Sequence, residues 1–132
     1  MPPAPHTFSF PRAHRLSGNN QFAAVYQAKM RKNAGPIAVL TKPNDLPHNR
    51  LGLSVSRKVG NAIIRNRIKR LLRDAYRLTQ HDQPKSYDII IAPRPTRKGT
   101  DPKSQILTLV EYQTHLLTAL TESHQNWQRR LK

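Results

Sequence analysis

The sequence predicts an α+β domain built on a strand–helix–strand unit, with about three helices in all. Three observations carry that expectation. Residues 50–56, RLGLSVS, alternate Leu51, Leu53 and Val55 against Gly52, Ser54 and Ser56, the period of a strand with one buried face. Residues 87–92, YDIIIA, form a continuous apolar run, as in a strand covered on both sides. Between them lies an amphipathic helical pattern that fades near Thr79. Strand, crossover helix and strand imply at least one parallel pair. At 132 residues the chain suits one domain. We expect a flexible arm over residues 1–14, a single domain over 15–121, and a frayed basic tail over 122–132.

Taken in order, residues 1–14 hold four prolines and little periodicity. Ser17 is placed to cap a helix reaching about Ala28. Phe22 and Tyr26, four apart, share a face of it. That pair suits either a small helix docking on the core or an aromatic platform for unpaired bases. Residues 29–34 read as a polar, basic connection, and residues 37–41 as a short β segment. Residues 44–49, NDLPHN, are a loop of turn formers. The outer face of residues 50–56 carries only small residues, suiting close approach of a backbone or ligand, or plain solvation. Gly60 provides a way out of the strand, and Asn61 is a suitable N-cap. Residues 93–98, PRPTRK, are an exposed basic loop. Asp101 followed by Pro102 predicts a helix start. Ile106, Leu107, Val110, Leu117 and Leu120 then predict its apolar stripe.

The central helix decides the partner. Residues 54–77 hold six arginines and two lysines against one acid, Asp74. At about 100° per residue from Ile64, Ile68, Leu71, Ala75 and Leu78 fall within about 40° of it, with Leu72 just outside. Asn66, Lys69, Arg70, Arg73 and Arg77 lie between about 140° and 240°, on the far side. Arg65 and Arg67, at about 100° and 300°, flank the apolar stripe. Over the whole chain, 23 Lys and Arg face 7 Asp and Glu, a formal net charge of +16. Such an excess opposes folding by self-repulsion unless a polyanion takes it up, and nucleic acid is the natural one. A membrane surface fits less well, because the basic helix has no Trp or Phe on its apolar face. No apolar run reaches the roughly 18 residues of a transmembrane helix, and no apolar signal core opens the chain. With no cysteine, disulfides and thiolate chemistry are excluded, and we expect a cytoplasmic protein.

No catalytic constellation is legible. The seven acids form no close pair in sequence, and the six histidines show no metal-ligand spacing. A P-loop, a G-x-G-x-x-G motif and a nucleophile elbow are all missing. Any chemistry is therefore expected to come from another component, with no catalytic and no metal-binding residue assigned here.

Gly52-Leu53-Ser54-Val55-Ser56-Arg57-Lys58, then Gly60-Asn61-Ala62, then Arg65-Asn66-Arg67-Ile68-Lys69-Arg70 closely resembles the signature of the bacterial ribonuclease P protein subunit. The flanks agree in order: Arg15-Leu16, a Phe22/Val25/Tyr26 helix, a β stretch, the signature, residues 87–93 and a late helix. The likeness covers roughly residues 12 to 121. It implies a small mixed sheet crossed by the arginine helix, with a left-handed β-α-β connection against the general right-handed preference. It also implies a catalytic RNA subunit, ribonuclease P RNA, carrying Mg2+ at its own active site. The substrate implied is precursor tRNA, whose single-stranded 5′ leader lies in a cleft beside the sheet. No DNA is expected as a partner.

Carried over by position, the resemblance assigns RNA binding to Arg57, Lys58, Asn61, Arg65, Asn66, Arg67, Lys69 and Arg70, beside Arg73 on the same helix. It assigns the leader to Phe22 and Tyr26, which favours the platform reading. Planar guanidinium groups suit phosphate, and stacking suits a leader that varies in sequence. Two other classes compete: a structural RNA-binding protein of ribosomal type, and a protein-only nuclease, which would need clustered carboxylates.

Overall fold

A computed structural model describes residues 10–95 and 98–131. Its four-stranded mixed sheet comprises β1 (Arg31–Ala34), β2 (Ile37–Pro43), β3 (Arg50–Leu53) and β4 (Tyr87–Pro93), in the order β1-β2-β4-β3. Three α-helices accompany it: α1 (Gly18–Gln27), α2 (Ala62–Leu78) and α3 (Leu109–Arg130). β2 runs antiparallel to both β1 and β4, and β3 runs parallel to β4, with Gly52 opposite Ile90. The β3–α2–β4 unit is thus the predicted strand–helix–strand.

β4 is apolar but for Asp88 because both of its faces are covered. Tyr87, Ile89 and Ile91 point into the main core with Ile37, Val39 and Leu51, under the buried faces of α2 and α3. Ile90 and Leu40 point the other way, into a second cluster with Leu16 and Val25 under α1. Asp88 interrupts the run and is 3% exposed. Its carboxylate accepts from Arg50 Nε at 2.8 Å and Nη2 at 2.7 Å, and from Asn44 Nδ2 at 2.8 Å. Arg50 and Asp88 are register partners, so this bidentate pair also fixes how β3 lies on β4.

Several expectations need correction. Residues 31–34, read as a connection, form β1, paired to β2 through a tight turn at Gly35 (φ +54°). Arg31 and Asn33 are exposed, so backbone pairing rather than apolar alternation makes this strand, and hydropathy does not see it. The regular β3 ladder ends at Leu53, and a 3-10 turn, Arg57–Val59, leads into α2. Asp101 caps only a 3-10 turn, Pro102–Gln105. α3 starts instead at Thr108, whose Oγ1 accepts from Glu111 N while its own N–H donates to Glu111 Oε1, a capping box. Ile106 and Leu107 therefore precede the helix and set no phase for it. The stripe that is buried is Tyr112, Leu116, Ala119, Leu120 and Ser123, while Val110 is 67% exposed.

The ends differ as well. The frayed tail expected from Glu122 is helical through Arg130. Trp127 anchors it, packing on the core and donating from Nε1 to Thr41 Oγ1 at 3.0 Å. One turn earlier, Tyr87 Oη and His124 Nδ1 are hydrogen-bonded at 2.8 Å. Of the expected flexible arm, residues 1–9 lie outside the described residues. Residues 10–14 pack on the body: Phe10 stands 5.6 Å from Tyr76, and Arg12–His14 form a 3-10 turn. Leu16 N then donates to Leu51 O at 2.9 Å, so this segment lies along the outer edge of β3.

Candidate nucleic-acid interface

α2 begins where Asn61 Oδ1 accepts from Ile64 N at 3.0 Å, satisfying one of the free amides of the first turn. Asn61 is thus a cap in the structure, whatever else it touches. Ile64, Ile68, Leu72, Ala75 and Tyr76 are buried, while Leu71 and Leu78 are only half-buried. The buried arc is therefore turned towards Leu72 and Tyr76 by about 50° relative to the expected stripe. Tyr76 draws it round, since Phe10 covers it from outside.

That rotation sorts the basic residues. Asn66, Arg67, Arg70 and Arg73 are exposed on the outer face, with Arg57 and Lys58 exposed on the turn before the helix. Arg65 lies on the side drawn inwards and is half-buried, its Nε enclosed without a hydrogen-bond partner. Lys69, also half-buried, borders a cleft beside β3. None of these cations makes an ion pair with an acid among the described residues. Asp74, the only acid on α2, is 3.5 Å from Arg77. Arg67, Arg70 and Arg73 thus present guanidinium groups on the outer face of the helix, a form of donor suited to phosphate.

On the opposite face of the sheet, α1 lies over β2 and β4. Ser17 is its N-cap without a side-chain capping bond; its N–H instead donates to Gln21 Oε1 at 2.8 Å. Phe22 is half-buried against Leu16, Val25, Leu40 and Ile90. The small-residue face of β3 explains how it fits. A Cβ on Gly52 would stand 2.5 Å from Phe22 Cζ, so only glycine admits the ring there. Tyr26, one turn on, is 44% exposed. Phe22 therefore both docks α1 and borders the open face, while Tyr26 offers its ring to solvent. The two predicted groups are not one patch: the aromatic pair and the α2 cations lie on opposite faces, either side of the β3 edge.

Sequence reasoning passed over Arg15. It is exposed, stands 4.9 Å from the Phe10 ring centroid, and shares the β3 cleft with Lys69 and Arg73. Only the folding of residues 10–16 along β3 brings it to residues more than fifty positions away. Among the described residues, no group of three or more His, Asp or Glu side chains is placed to hold a metal, and no helix is long and apolar enough to cross a membrane.

Residues 10–116 match the family model described as Ribonuclease P. The chain belongs to the ribonuclease P protein family. Within it, a ribonuclease P protein component from Methylococcus capsulatus is 46% identical over 74 residues, covering 55% of this chain and 58% of that protein. One from Photorhabdus laumondii is 40% identical over 92 residues, 69% of this chain and 74% of the relative. The ribonuclease P protein structure from Thermotoga maritima superposes with a TM-score of 0.69 at 28% identity, covering 82% of this chain and 96% of that one. A Staphylococcus aureus structure gives 0.68 at 29% identity, over 85% and 96% of the two chains. The four-stranded mixed sheet with three helices is thus the fold of this family.

Proposed function

We propose that this chain is the protein subunit of a ribonuclease P, holding the catalytic RNA and the 5′ leader of precursor tRNA while the RNA cuts. The observation that carries the reading is the outer face of α2. Arg67, Arg70 and Arg73 are exposed there, none of them in an ion pair with an acid among the described residues, an arrangement that costs stability unless phosphates answer it. Family membership supplies the RNA to which that face answers. Arg57, Lys58, Asn61, Arg65, Asn66 and Lys69 extend the same surface, and ribonuclease P RNA is its partner. Phe22 and Tyr26 border the opposite face, where stacking accepts any base and so suits leaders of varied sequence.

The chain's own work is binding and orientation. Its cations lower the electrostatic cost of bringing two polyanions together. Mg2+ belongs to the RNA and supplies the hydrolytic chemistry there; the protein reduces how much of it is needed. Reconstitution is the test. Purified chain added to a cognate ribonuclease P RNA should restore precursor tRNA cleavage at low magnesium. If cleavage is not stimulated, and the RNA recovered with the chain from cells is ribosomal, the reading is wrong.

A further inference from the structure

Beside the outer edge of β3 lies a cleft of about 450 Å³ that joins the two faces just described. Leu51 and Leu53 line it with Phe10, and its rim carries three cations: Arg15, Lys69 and Arg73. They come from separate parts of the chain. Lys69 and Arg73 lie one turn apart on α2, while Arg15 arrives with the segment that pairs with β3 through Leu51. None of the three makes an ion pair with an acid among the described residues. Arg15 is held over the Phe10 ring, and that ring rests in turn against Tyr76, so its guanidinium is positioned before any ligand arrives. Three converging cations around an apolar floor suit a phosphate with its sugar, not a carboxylate alone.

Leu16 ties the cleft to the aromatic face. It lines the cleft, yet it also belongs to the cluster that holds Phe22, and both contact the space left free by Gly52. A strand stacked at Phe22 and Tyr26 therefore meets the mouth of the cleft next. We infer that the cleft is a phosphate subsite for single-stranded RNA, taking a backbone phosphate of the leader on Arg15, Lys69 and Arg73 as the strand rounds the β3 edge. This rests on the leader-binding reading above.

The test uses reconstituted holoenzyme with precursor tRNAs whose leaders increase in length. With the unaltered chain, affinity should rise with leader length and then level off. Arg15→Ala should match it on the shortest leaders and fall roughly tenfold behind on the longer ones, the scale of one charge-assisted contact. Its salt slope on long leaders should drop by about 0.7, one phosphate's share on a single strand. Arg15→Lys should recover part of the loss, and affinity for the catalytic RNA alone should not change in either variant. Equal affinities for Arg15→Ala and the unaltered chain at every length would overturn the assignment and leave the leader reading intact. A loss confined to the catalytic RNA would also overturn it. No gain with leader length in the unaltered holoenzyme would instead remove the leader reading, and the cleft with it.

Discussion

Gly52 shows how a missing side chain builds a site. Its absent Cβ lets the Phe22 ring lie on β3, so Gly52→Ala must push the ring outward. We expect that variant to fold but to bind leader-bearing precursor more weakly, with mature tRNA unaffected. Phe22→Ala should cause a similar selective loss, with about 1–3 kcal/mol per stacked base as the scale. Equal losses for precursor and mature tRNA, measured by titration of the holoenzyme, would show that the ring only docks α1. Arg50 has the opposite character, since its value lies in the charge it neutralises. Burial works against the Arg50 cation, but the bidentate hydrogen bond to Asp88 outweighs that and raises its pKa. Arg50→Ala would leave the Asp88 carboxylate buried with only the Asn44 amide donating to it among the described side chains. The cost should be about 3–5 kcal/mol in denaturant unfolding, the range for breaking a buried pair from one side. A loss below about 1 kcal/mol would mean that water already screens the pair.

At the scale of elements, α2 and α3 divide the labour. On the reading proposed above α2 is the surface that grips RNA, so its exposed cations should register in salt dependence more than in folding. Arg67→Ala or Arg70→Ala should each lower the salt slope for catalytic-RNA binding by roughly one, with little change in thermal midpoint. An unchanged slope would place that residue in solvent. α3 is a brace. Trp127→Ala should cost about 2–3 kcal/mol in chemical denaturation, below the range for a fully buried Trp because this one is half-buried. Trp127→Phe should cost less but still register, since Thr41 is 1% exposed and its hydroxyl loses that donor. Stability equal to the unaltered chain in both variants would mean that the last turns of α3 are dispensable. These two helices also mark how far the sequence could be read. α2 was legible because one stretch carries its cap, its apolar period and its charge. The far end of α3 was not, because Trp127 is a lone aromatic among polar residues and its partner lies 86 positions away. β1 escaped for a related reason: an edge strand is made by its neighbour's backbone, which leaves no mark on side-chain pattern. The aromatic pair was visible as a pair, yet the role of Gly52 beneath it appears only once β3 and α1 are stacked.

The whole molecule carries a charge of +16, and protonating its six histidines would add to it. One place makes that addition costly. The His14 and His48 rings stack with centroids 4.0 Å apart and planes 18° from parallel, in a cleft also lined by His81 and Lys85. Burial first, then His48 and Lys85, hold the His14 pKa below its ordinary value of 6.5. Asp82 is the acid on this side, and it acts on Lys85. The direction of the effect on stability follows from proton counting. In the unfolded chain His14 takes a proton near pH 6.5, whereas the folded chain resists until a lower pH. Between those values the unfolded state binds more protons, so stability falls as pH drops through 6.5 towards the folded value and levels off below it. Thermal midpoints should therefore decline on acidification across that window, and His14→Gln should flatten the decline. The loss should be felt first along residues 10–16, because His14 sits one position before Arg15 on the segment that closes the β3 edge. Affinity for long leaders should then fall with pH before affinity for the catalytic RNA does, and His14→Gln should uncouple the two. Parallel pH profiles for the unaltered chain and His14→Gln would show that the stacked histidines are silent.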